Sequence, residues 1–100
     1  MNEEYCRWLA RVLDRKALDS LLPAKILDQD NRQIAIGLVT PDTNGDHRTF
    51  WPDSPTTLDS LVAHGTSLRY EDGREVEIYD VCRCPDPLPA PHVDFRIRSA

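Results

Sequence analysis

Two thiols, an imidazole and a carboxylate lie close together late in this 100-residue chain, as Cys82-x-Cys84 followed by His92-x-Asp94. Such a set can complete a tetrahedral zinc shell if a turn brings the two pairs together. Cys-x-Cys is less diagnostic than Cys-x-x-Cys, and two other readings stand beside it: a structural thiol pair, with Cys82 buried as a small hydrophobe, and reversible redox chemistry. A second constellation is Asp42-x-Asn44-x-Asp46 with Asp53 at the twelfth position, which places oxygen ligands as a calcium loop would. It departs from that pattern because His47 stands where the sharp turn needs glycine and Asp53 replaces the bidentate Glu. An Asx-rich turn between strands is the competing reading.

His47, His64 and His92 are the natural general-base candidates, since imidazole titrates near neutrality. No serine or cysteine stands in a nucleophile-elbow or phosphate-loop context, and no cofactor motif is present, so the enzyme reading has no motif behind it. A charged face formed by His92, Asp94, Arg96 and Arg98, joined by Arg69 and Arg83, with Tyr70, Tyr79 or Trp51 as stacking platforms, would suit single-stranded nucleic acid. Glu71, Glu75, Glu77 and Asp80 in the same segments oppose that reading and favour a solvated mixed-charge sheet.

The remaining candidates are apolar. Tyr5, Trp8 and Val12 on an N-terminal amphipathic helix, Phe50 and Trp51 before Pro52, and Leu88 in a Pro-rich run are possible anchors for a protein partner or a second copy of the chain. Against each stands simple burial in the chain's own core.

These side chains must be positioned by one small domain spanning residues 1–100. The chain is 40% hydrophobic and 29% charged, with a net charge of −5 and no basic stripe. No apolar run approaches the roughly 20 residues that span a bilayer. Three cysteines form no even framework, so reduced thiols and a cytoplasmic, membrane-free location are expected.

Apolar spacing predicts a helix over residues 1–22, ended by Pro23. Residues 24–28 and 33–40 read as a hairpin in which Ile34, Ile36 and Leu38 alternate as the buried set, and residues 47–51 as a third strand. Ser54 as N-cap, Pro55 at the first helical position, apolar Leu58, Leu61 and Val62, and Gly65 past the end predict a short helix over 55–64. Asp72-Gly73 predicts a tight hairpin between strands 67–71 and 75–82, the second slipping phase at a one-residue bulge after Ile78. A stiff Pro-rich connector then leads to a last strand with Val93, Phe95 and Ile97 inward. The sum is an α+β domain: a small antiparallel barrel-like sheet over 24–98, OB-like or SH3-like with about six strands. The function this favours is a non-enzymatic interaction module. A nucleic-acid-binding OB-like domain, a small metal-binding protein and an enzyme are the alternatives.

Overall fold

Alternation dominates the sequence after Pro23, and the chain follows it. A computed structural model describes residues 21–40, 45–83 and 91–98. Among the described residues there are six strands: β1 (Leu22–Leu27), β2 (Gln33–Val39), β3 (His47–Pro52), β4 (Ser67–Tyr70), β5 (Glu75–Arg83) and β6 (Val93–Arg98). Between β3 and β4 a 3-10 turn (Pro55–Thr57) runs into helix α1 (Leu58–His64). The expected N-terminal helix falls on residues 1–20, outside the described residues. Residue 22, its expected last position, is instead the first of β1.

The strands close into a barrel in the order β1-β2-β3-β6-β5-β4, with every neighbouring pair antiparallel. Closure leaves none of the described strands with a free edge to template aggregation. Two three-stranded meanders make the ring, and two seams join them: Ala24 to Leu27 of β1 against Ser67 to Tyr70 of β4, and His47 to Phe50 of β3 against Val93 to Arg96 of β6.

Inside lie Ala24, Ile26, Ala35, Val39, Phe50, Leu68, Ile78, Val93 and Phe95, with Leu58 and Leu61 of α1 plugging one end. Burial of each large side chain contributes roughly 1.5–3 kcal/mol. Gly65 permits that plug for a steric reason. A Cβ there would lie 2.6 Å from the Leu61 carbonyl oxygen and 3.2 Å from Ile26 Cγ2. Its φ of −64° and ψ of 120° make it an extended stop instead of a left-handed cap.

Four local expectations change. The N-cap position of α1 is Thr57, not Ser54, and it makes no side-chain capping bond: the first turn tightens to 3-10, and the Ser54 carbonyl accepts from both Thr57 N (3.2 Å) and Thr57 Oγ1 (2.8 Å). Val62 is 41% exposed, because a seven-residue helix spends its narrow inner face on Leu58 and Leu61. The Asp72-Gly73 turn is a three-residue loop with only Gly73 at positive φ (97°), closed by Gly73 N to Tyr70 O and Tyr70 N to Arg74 O.

The largest change is on β2, where Ala35, Gly37 and Val39 point inward and Ile36 and Leu38 are half-buried on the outside, while Ile34, at a register shift against β1, packs against the core. The reason is the approach of β3. A Cβ on Gly37 would meet the Trp51 carbonyl oxygen at 2.1 Å and Pro52 Cα at 2.9 Å, so only glycine fits there. Period-two alternation then fixes the phase from Ala35 to Val39. The bulge in β5 is found where expected, between Tyr79 and Cys82, with Asp80 at a φ of 53°.

Candidate binding face

The outward face of a barrel strand should be polar when water covers it. β5 and β6 obey, presenting Glu77, Tyr79, Asp94, Arg96 and Arg98. β1 and β2 do not. Cross-strand pairing sets Pro23 beside Leu38 and Leu38 beside Trp51 in one outward row. The next row runs Ile36, Lys25, Arg69, Glu75 across four strands. β2 is thus apolar on both faces, the pattern of a strand covered on both sides.

This face carries a cleft of about 390 Å³ whose lining includes Pro23, Lys25, Ile36, Tyr70 and Glu71. A neighbouring cleft of about 340 Å³ shares Pro23, Tyr70 and Glu71 and adds Leu22, Asp72 and Arg74. Charge around them is mostly matched. Arg69 pairs with Glu75 at 3.0 Å, and Arg74 pairs with Asp72 at 2.8 Å while its guanidinium lies 4.5 Å from the Tyr70 ring centroid. The Arg74 backbone N–H also donates to Asp72, and this bond holds the Asp72 carboxyl below its ordinary pKa of 3.8. Lys25 and Glu71 alone on this rim have no ion-pair partner among the described residues.

The residues proposed for metal chemistry are distributed otherwise. Cys82 lies opposite Asp94 across β5 and β6, and it is exposed, because the bulge moves it off the buried phase of Val76 and Ile78. Asp94 accepts a 2.6 Å hydrogen bond from Thr49 Oγ1. His92 is buried and faces the Trp51 ring, with centroids 5.8 Å apart. Cys84 lies outside the described residues. Asp42 and Asn44 of the calcium-like loop also lie outside them. Asp46 and Asp53 flank opposite ends of β3, which at strand rise separates them by about 20 Å, too far to share one ion. Asp46 instead accepts from Tyr79 OH at 3.3 Å, and the Asp53 N–H donates to Ile36 O at 2.7 Å. Among the described residues no three His, Cys, Asp or Glu side chains converge as metal ligands.

The histidines do not converge on one pocket. His47 is exposed opposite Arg96, about 13 Å along β6 from His92. His64 lines a separate polar pocket of about 190 Å³ with Asp28 and Asp30. There Asp28 Oδ1 already accepts from the Asp30 and Arg32 N–H groups.

On the charged face, Arg98 sits 4.7 Å over the Tyr79 ring and 3.7 Å from Glu77, and Arg83 pairs with Asp59 at 3.1 Å. Most cations of the face are thus matched by carboxylates, and both tyrosine rings carry a guanidinium.

Of the expected interaction anchors, Phe50 is corrected outright: it is fully buried, packed inside the barrel between Val39 and Val93. Trp51 is no open anchor either, being only 8% exposed despite its outward phase, and its Nε1–H has no hydrogen-bond acceptor among the described residues. Tyr5, Trp8, Val12 and Leu88 lie outside the described residues. Sequence reasoning missed Lys25, Glu71 and the outward Ile36 and Leu38. The available signal was the unbroken apolar run from Ile34 to Val39, which fills both parities of a strand.

It also missed Arg48. This side chain points inward between the strand partners of the core and is 2% exposed, with Nη1 donating to Gly45 O (2.6 Å) and His47 O (2.9 Å).

No α-helix among the described residues is long and apolar enough to cross a membrane. Compared with known proteins, the chain matches no family model, no curated protein and no solved structure.

Proposed function

We propose that the protein is a non-enzymatic binding module that engages a protein partner through the outer face of β1 and β2. One observation carries this reading: β2 places Ile36 and Leu38 outward, half-buried, where a solvated barrel strand would carry polar residues. A strand face of that chemistry gains by being covered, at roughly 25 cal/mol for each Å² of apolar surface removed from water. Catalysis has less support, since among the described residues no two histidines share a concave site and Asp46 and Asp53 lie at opposite ends of β3. Nucleic-acid binding has less support too, because the arginines that would track phosphates are largely engaged by carboxylates. The element order, with a helix after the third strand, supports an OB-like relation extended by a sixth strand. The exposed thiol of Cys82 fits a reducing, cytoplasmic setting.

The test compares the chain with Ile36→Asp and Leu38→Asp variants as immobilised baits in cell extract. Both substitutions sit on the outside of the ring, so circular dichroism should show the fold retained. A partner held by the parent chain and reduced about tenfold or more by either variant supports the reading. Equal retention by all three refutes it.

A further inference from the structure

The rim of the 390 Å³ cleft holds a cation, Lys25, and an anion, Glu71, neither of which has an ion-pair partner among the described residues. Lys25 stands opposite Arg69 across β1 and β4, and Glu71 follows two positions beyond Arg69, next to Pro23. Arg69 is already tied to Glu75. A purely acidic partner would satisfy Lys25 and confront Glu71 with like charge, and a purely basic one would do the reverse. A second copy of the same face, turned about a two-fold axis, offers each charge its opposite.

We propose that this face pairs with a second copy of the chain, with Lys25 of each copy against Glu71 of the other and with Pro23, Ile36 and Leu38 covered between them. This rests on the binding-face reading above and names its partner. Two-fold symmetry repeats every contact, so one substitution perturbs two ion pairs. Apolar contact supplies the association, and the charges fix the register, because like charges juxtaposed at an interface are costly.

The experiment is sedimentation equilibrium of the full chain up to about 1 mM, a range that captures weak association. The parent chain should approach twice the 11.4 kDa of one copy. Lys25→Glu and Glu71→Lys should each raise the dissociation constant at least about tenfold, and the double swap should restore it to within about threefold. A parent chain that stays monomeric throughout, or a double swap no better than the single variants, overturns the proposal. If the parent is monomeric while extract partners remain sensitive to Ile36→Asp, only self-pairing fails. If retention is insensitive to Ile36→Asp and Leu38→Asp, the binding face itself fails.

Discussion

Replacing Gly37 by alanine adds one methyl group at the point where β2 approaches β3 most closely. The added carbon would lie 2.1 Å from the Trp51 carbonyl oxygen and 2.9 Å from both Trp51 C and Pro52 Cα. Contact distances of about 3.5 Å are comfortable, so the strands must part by over 1 Å locally. The obstructing atoms are backbone, and no side chain can rotate away. Overpacking of this kind costs typically 1–3 kcal/mol, and the absence of a flexible neighbour places Gly37→Ala near the upper end. Alanine offsets about 0.5–1 kcal/mol of that by restricting the unfolded chain. A net loss of about 2 kcal/mol is expected, which for a domain of this size lowers the melting temperature by roughly 8–12 °C.

Gly45→Ala provides the contrast. Gly45 has a φ of 72°, and a methyl group added there would have nothing within 4 Å, so its cost is the left-handed backbone penalty alone, about 1 kcal/mol. Urea unfolding followed by circular dichroism measures both. If Gly37→Ala falls within about 0.5 kcal/mol of the parent, or costs no more than Gly45→Ala, then the account of why β2 turns Ile36 and Leu38 outward is wrong.

Two further outcomes follow from the turns and bulges. Asp80 holds a left-handed φ of 53° at the β5 bulge, so Asp80→Gly should stabilise by roughly 0.5–1 kcal/mol in urea unfolding, and Asp80→Val should destabilise by at least about 1 kcal/mol. For Asp72, the Arg74 N–H favours the ionised carboxylate in the folded state. Its contribution is therefore present above the ordinary value of 3.8 and is lost as pH falls through the lowered folded value. An NMR titration should place the Asp72 midpoint below that of an unfolded peptide, and Asp72→Asn should flatten that part of the acid limb of stability. A midpoint at or above the peptide's would refute the assignment.

Local chemistry made much of the fold readable. Proline and glycine punctuation placed the strands and the short helix, and the phase slip after Ile78 located the bulge. The inward Val93 and Phe95 followed from simple alternation. What escaped was information carried between strands. Nothing local to Ile36 and Leu38 says that a carbonyl of β3 will press on Gly37, yet that contact decides which face of β2 is the core. The same holds for the candidate sites. Asp42, Asn44, Asp46 and Asp53 have ligand-like spacing only if the chain loops, and β3 keeps the last two apart instead. Phe50 and Trp51 are neighbours in sequence but belong to opposite faces of the sheet. Arg48 shares the parity of Phe50, so strict alternation would have put it inside, against the expectation that arginine is exposed.

The two seams of the ring also govern how it can form. Each meander joins strands linked by turns or a short connector, whereas Ala24 must find Tyr70 and Phe50 must find Val93. Closing loops of roughly 45 residues instead of about 4 costs some 2 kcal/mol more in chain entropy before any seam contact repays it. The seams are therefore expected to close last, and until they do, each half exposes two strand edges that the finished ring conceals.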